Sequence, residues 1–187
     1  MDYKFSVFCR QGNLYGIINI INKKNINIHI NDEDGFRWAC NNGHKHIVEY
    51  LINLYKIQQS RDSTYSKINI HVYNEEGFRW ACSNGHKHIV EYLINLYKNN
   101  KDYEKINIHS NNEQGFIWAC YYGHLHIIKY LINLHKIQPT YAKINIHANN
   151  EKETRIVYIN TNKSIIKYLL SCGCYSNNYK CIIILLI

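Results

Sequence analysis

A block that returns almost unchanged constrains a chain more than any single residue, because every copy must fold alike and pack on the next. Here Gly35 to Lys56, GFRWACNNGHKHIVEYLINLYK, returns at Gly77 to Lys98 with one change, Asn41 to Ser83. It returns more loosely at Gly115 to Lys136 as GFIWACYYGHLHIIKYLINLHK. Each copy follows the tetrapeptide INIH, which ends at His29, His71 and His109, and a fourth INIH ends at His147.

Within the block, Phe36, Trp38 and Ala39 form a short apolar segment that two polar residues and Gly43 interrupt. Ile47, Val48, Leu51, Ile52, Leu54 and Tyr55 then follow at helical spacing, an apolar stripe about two residues wide. The pattern predicts a helix, a tight turn at Asn42-Gly43 and a second, longer helix. Gly43 ends the first helix because glycine enters the left-handed region cheaply. One such unit buries too little apolar surface to offset the entropy of ordering it, so its open faces must be covered by neighbouring copies. The expected class is therefore all-α, a helix-turn-helix solenoid.

The stretch Ala39-Cys40, Gly43-His44, Ile47-Val48, Leu51-Ile52 resembles the second half of the ankyrin repeat, A-A-x-x-G-H-x-x-I-V-x-x-L-L. INIH is similar to that family's D-V-N, which leads into its β-hairpin finger. The dialect of I-H, then R-W-A-C, then N-G-H resembles ankyrin proteins encoded by giant DNA viruses of amoebae. The resemblance implies ankyrin repeats with short β-hairpin-like fingers, and protein binding on a concave surface of fingers and first helices. The family's T-P-L-H is replaced by Asp34-Gly35-Phe36-Arg37. Phe36 takes the core position and Asp34 can cap the first helix, whereas Glu76 and Gln114 are weaker caps. Gly35 stands where a proline would pre-set the helix start, which predicts a less rigid first helix.

Phe5 to Ile21 aligns with Phe36 to Ile52, placing Cys9 on Cys40 and Gly12 on Gly43. It is more polar than its neighbours and reads as a cap with one wet face. After each full copy comes a polar insert: Ile57 to Lys67, Asn99 to Lys105, and Ile137 to Lys143. These read as surface loops, not linkers. Each ends Tyr-x-Lys, and Tyr65, Tyr103 and Tyr141 are expected to tack the loop onto its repeat. The last copy is degraded, with Thr161 in the place of the turn glycine, and the chain ends in the apolar run CIIILLI. The expected organisation is a single domain over 1–187. Residues 1–25 form the N-terminal capping half-repeat, 26–67, 68–105 and 106–143 the repeats, and 144–187 a degenerate C-terminal repeat and tail. The first residues lack the pattern of a signal peptide, and no apolar run approaches the roughly 20 residues of a membrane span. The expectation is a soluble, cytoplasmic monomer.

The formal net charge is +8, from 22 Lys+Arg against 14 Asp+Glu. Lysines fall mainly in the inserts and at helix ends, while the fingers carry Asp32-Glu33-Asp34, Asn74-Glu75-Glu76 and Glu113. The richness in Ile, Asn, Lys and Tyr also matches A/T-rich codons, so part of the basicity follows from base composition. Cys9, Cys40, Cys82 and Cys120 occupy one repeat position, so stacked copies hold them about 10 Å apart, too far to bridge. Reduced, buried thiols are expected.

The pairs His44/His46, His86/His88 and His124/His126 resemble the start of a zinc site. Zinc ligands must converge within about 4 Å, which copies stacked about 10 Å apart do not allow. A structural role is therefore the better reading, with no metal and no cofactor. Cys172-Gly173-Cys174 fits the family's helix end better than a redox motif. Trp38, Trp80 and Trp118 fall on an apolar helix position, where packing between repeats is favoured over stacking on a ligand. No glycine-rich phosphate loop or kinase-type signature appears, and the notable His and Cys residues recur in a repeating frame, whereas a catalytic site is singular. The chain reads as non-enzymatic.

Copies with near-identical cores differ at the fingers and first-helix ends. Tyr73 stands opposite Asn31, and Tyr121-Tyr122 opposite Asn41-Asn42. Tyrosine gives large contact area at low entropy cost. The candidate partner-binding residues are Tyr73, Asn74, Tyr121, Tyr122, Asn41, Asn42 and Asn84. The expected partner is a protein. Nucleic acid on the lysine-rich insert face, and a non-functional remnant of repeat expansion, are the alternatives.

Overall fold

The computed structural model describes residues 3–23, 26–59, 66–146 and 163–172. His147, Tyr65, most of the last copy, Gly173-Cys174 and the apolar tail lie outside the described residues. The chain forms two compact units, Met1–Asn107 and Ile108–Ile187.

The first unit holds three helix pairs: α1 (Tyr3–Gln11) and α2 (Leu14–Lys23), α3 (Ile30–Asn41) and α4 (Lys45–Gln59), α5 (Val72–Ser83) and α6 (Lys87–Asn99). The first helices lie side by side, α1 on α3 and α3 on α5. The two-residue-wide stripe of α4 is its core face: Ile47, Val48, Leu51, Ile52, Leu54 and Tyr55 are all buried. Phe36, Ala39 and Cys40 are buried with them, and Phe78, Ala81 and Cys82 repeat the arrangement. Gly43 turns the chain at φ +78, where His44 N–H donates to Ala39 C=O at 3.0 Å. A left-handed residue closing the orphan carbonyls of a helix end is what the glycine was expected to supply.

The glycine at the start of each first helix has a different purpose. A Cβ on Gly35 would stand 2.5 Å from the Phe5 ring and 3.0 Å from Cys9 Sγ. On Gly77 it would stand 2.8 Å from the Phe36 ring. These glycines let neighbouring first helices approach through the Phe of the preceding copy, which explains the missing proline better than a loosened helix start. Asp34 is turned toward Arg37, 3.5 Å away.

The second unit holds α7 (Ser110–Tyr121), α8 (Leu125–Ile137) and α9 (Lys163–Ser171). Its core contains Phe116, Ala119 and Cys120 from α7, Ile127, Ile128, Leu131 and Leu134 from α8, and Ile165 and Leu169 from α9. Gly123 makes the turn at φ +86.

No β-hairpin forms at the fingers among the described residues. In its place, Asn31, Asp32 and Glu33 form a left-handed helical turn, with φ of 48, 53 and 64. Tyr73-Asn74-Glu75 and Asn111-Asn112-Glu113 repeat it. With no β-partner for their backbone, these residues fold back onto their own helix.

The inserts are tied down where they are described. Tyr103 is buried and its hydroxyl donates to Ile52 C=O at 3.2 Å, so this loop is tacked to the preceding copy's second helix rather than to its own. Tyr55, Lys56 and Lys67 converge on Asp102. Tyr141 is also buried. Among the described residues no helix is long and apolar enough to cross a membrane.

Candidate functional site

Each left-handed turn places a glutamate inward. Glu33 is only 5% exposed, although its position in a polar run reads as surface. Its Oε1 accepts from His29 Nδ1 at 2.8 Å and from the backbone N–H of Asn69, in the next copy, at 2.9 Å. Glu75 does the same with His71 and Asn107, at 2.9 and 3.1 Å. Within the second unit, Glu113 accepts from His109 and Asn145, at 2.7 and 3.0 Å. These carboxylates therefore bolt one copy to the next and leave the candidate binding surface to their neighbours. The hydrogen bond it donates to Glu33 raises the pKa of His29 above the ordinary imidazole value, and the one donated to Glu75 raises that of His71.

The outer side of the first unit's turns is held by arginine. Arg37 donates to the carbonyls of Asn31 and Asp32, at 2.9 and 3.0 Å, and pairs with Glu76 of the next copy. Arg79 clamps Tyr73 and Asn74 the same way, at 2.7 and 2.8 Å. Left-handed residues other than glycine cost roughly 1–2 kcal/mol each, so the turns need such clamps. Ile117 occupies the equivalent position in the second unit.

On the exposed side of the first helices, aromatic rings and guanidinium groups pack on one another. Trp38 and Trp80 are half-buried, with ring centroids 5.4 Å apart and planes inclined by 43°. They do pack between copies, as expected, but at the surface instead of in the core. Arg10 lies 4.6 Å above Trp38. Arg37 lies 5.7 Å from the Trp80 ring centre and 4.9 Å from that of Tyr73. Tyr73, 53% exposed, donates its hydroxyl to Asp32. Large rings held rigid by cation–π contacts present contact area with little entropy left to lose.

The other candidate residues divide clearly. Asn42 and Asn84 donate their side-chain amides to the carbonyls of Trp38 and Trp80, at 2.9 and 3.0 Å, which occupies them as caps of the first helices. Asn41 is used through its carbonyl, which accepts from His86. Asn74 is exposed, with its carbonyl on Arg79. Tyr121 and Tyr122 belong to the second unit, where their rings meet edge to face at 4.9 Å and Tyr122 is 57% exposed.

The His-x-His pairs have a structural task. His44 Nε2 donates to Arg10 C=O at 2.9 Å and His46 Nε2 to Gly12 C=O at 3.1 Å. His86 and His88 do the same to Asn41 and Gly43. No grouping of ligands that could hold a metal ion occurs among the described residues. Burial pushes the thiols of Cys9, Cys40 and Cys82 far above their ordinary pKa, which suits packing and not chemistry.

Stacked helix pairs joined by glycine turns, with a recurring polar junction, define a helical-repeat scaffold with rigid surface aromatics. The family profile "Ankyrin repeats (3 copies)" matches residues 5–103 and again 78–181, and the chain belongs to the ankyrin-repeat family. Among curated proteins it is similar to acyl-CoA-binding domain-containing protein 6 of Homo sapiens and of Bos taurus. Each is 38% identical over 48 residues, 24% of this chain and 17% of the relative. The matched stretch thus spans about a sixth of those relatives' length. No solved structure matches. Ankyrin repeats are generally protein–protein interaction modules, and the family is generally non-catalytic.

Proposed function

We propose that this chain is a protein-interaction module whose partner docks on the finger and first-helix face. The observation that carries the reading is the ladder Arg10, Trp38, Trp80, Arg37 and Tyr73, aromatic area held rigid and half exposed. Tyr121 and Tyr122 are the candidate contact residues of the second unit, and Asn41, Asn42, Asn74 and Asn84 are the further candidates of the first. The repeat division 26–67, 68–105, 106–143 and a monomeric state belong to the same reading. The dialect shared with ankyrin proteins of giant DNA viruses supports a viral protein that acts on host proteins in the cytoplasm.

Capture from amoebal lysate at two salt concentrations tests this, with the triple variant Y73A/Y121A/Y122A as control. A protein retained at high salt and lost in the triple variant is the expected result. Nucleic acid retained only at low salt would move the site to the lysine-rich inserts. Nothing retained by the folded protein would refute the reading and favour a remnant of repeat expansion.

A further inference from the structure

In the first full copy the His–Glu bolt has a third member. His29 Nδ1 donates to the buried Glu33 carboxylate at 2.8 Å, so when the ring is neutral its lone pair lies on Nε2. Ser66 Oγ lies 2.9 Å from that Nε2. The order carboxylate, imidazole, hydroxyl, each in hydrogen-bond reach of the next, is the arrangement that activates a serine for acyl transfer. Glu33 is buried and anchored by the Asn69 N–H, so the orienting group is rigid. Ser66 is exposed and can be approached from solvent. Nothing in the sequence marks it, because the His29-Glu33 pair recurs as His71-Glu75 and His109-Glu113. The singular residue is Ser66: its counterparts in the same Tyr-x-Lys frame are Glu104 and Ala142.

We infer that Glu33, His29 and Ser66 form a nucleophilic relay, and that Ser66 reacts with activated carboxylic esters and thioesters. His29 Nε2 takes the Ser66 proton as Oγ bonds to the acyl carbon. The tetrahedral intermediate then expels the alcohol or thiol, which leaves with the proton held by His29. Water, activated by the same imidazole, releases the acid and restores the serine. The relay supplies proton transfer, so substrates with good leaving groups are the chemical class it serves. The inference does not rest on the proposed protein-binding role.

A fluorophosphonate probe tests the relay directly: Ser66 Oγ bonds to phosphorus, fluoride leaves, and the proton goes to His29. Peptide mass mapping of the full chain should place the adduct on Ser66, and the S66A variant should lose it. General-base assistance contributes about 10²-fold or more, so H29Q, its fold checked by circular dichroism, should slow labelling by about that factor. The pH profile of the wild-type protein decides the matter even if H29Q does not fold. The base must be the neutral imidazole, held charged by Glu33 to higher pH than usual. Labelling should therefore rise through the His29 midpoint measured by NMR, above about 6.5, and then level off. A rate proportional to hydroxide throughout, equal rates in wild type and H29Q, or an adduct elsewhere would overturn the inference.

Discussion

Removing the Glu75 carboxylate should open one specific junction. Glu75 is 5% exposed and serves two donors, His71 Nδ1–H and the Asn107 backbone N–H. In Glu75→Ala both lose their acceptor, and an orphaned buried donor costs about 1–3 kcal/mol. His71 keeps about a third of its side chain in water. Water therefore recovers part of its share, and we expect a loss of about 2–4 kcal/mol. Glu75→Gln keeps an oxygen in place and gives up only the charge, so about 1 kcal/mol is expected. Urea unfolding followed by circular dichroism reads this as a midpoint lowered by roughly 1–2 M in the Ala variant, for a slope near 2 kcal/mol/M. Hydrogen exchange at the Asn107 amide reads the same junction locally and does not require two-state unfolding. The sign of the pH effect is fixed. Because Glu75 raises the folded-state pKa of His71, the pair's contribution is complete below the unfolded value near 6.5 and is lost as pH rises through the raised one. Wild type should lose this contribution across that window, and Glu75→Gln should lose much less. A Glu75→Ala protein within about 0.5 kcal/mol of wild type, with Asn107 still protected, would refute the bolt.

Two further outcomes follow from the packing. Gly77→Ala puts a methyl 2.8 Å from the Phe36 ring and 3.3 Å from Cys40 Sγ, so an overpacking cost of about 1–3 kcal/mol is expected in chemical denaturation. The native thiols of Cys9, Cys40 and Cys82 should resist alkylation at pH 8 and react only after urea unfolding, because burial both excludes the reagent and suppresses the thiolate. Mass spectrometry of the iodoacetamide-treated protein checks this, and rapid labelling of the native protein would contradict it.

The helices, the turn at Gly43 and the core faces were legible because they rest on local rules: a periodic stripe, a left-handed glycine and a stack of equivalent positions. The fingers were not. Asn31-Asp32-Glu33 is polar and has no glycine, so nothing marks three left-handed residues. The groups that hold the turn are also dispersed: Arg37 lies a helical turn away, and the Asn69 N–H belongs to the next copy. One signal was available. His29-Glu33, His71-Glu75 and His109-Glu113 repeat at i, i+4, which is unusual for drifting surface residues. The tryptophans were half legible: the apolar helix position was right, but Arg10 and Arg37 let Trp38 and Trp80 share the surface. Ser66 could be recognised only once folding had brought it to a histidine in the preceding finger.

The histidine and amide junctions of the first unit run in one direction. His44 and His46 give hydrogens back to Arg10 and Gly12, and His86 and His88 give them back to Asn41 and Gly43. The amides of Asn69 and Asn107 likewise give theirs back to Glu33 and Glu75. At these contacts the earlier copy accepts and the later one donates, while Arg37 donates the other way, to Glu76; the two edges differ, which makes a head-to-tail interface that does not close on itself. A duplicated block would arrive with both halves of its seam already made, so such an array can lengthen without inventing a contact. The single difference between the two near-identical blocks, Asn41 against Ser83, falls where the seam uses only a main-chain oxygen. There, a copy can change its side chain and still fit its neighbour.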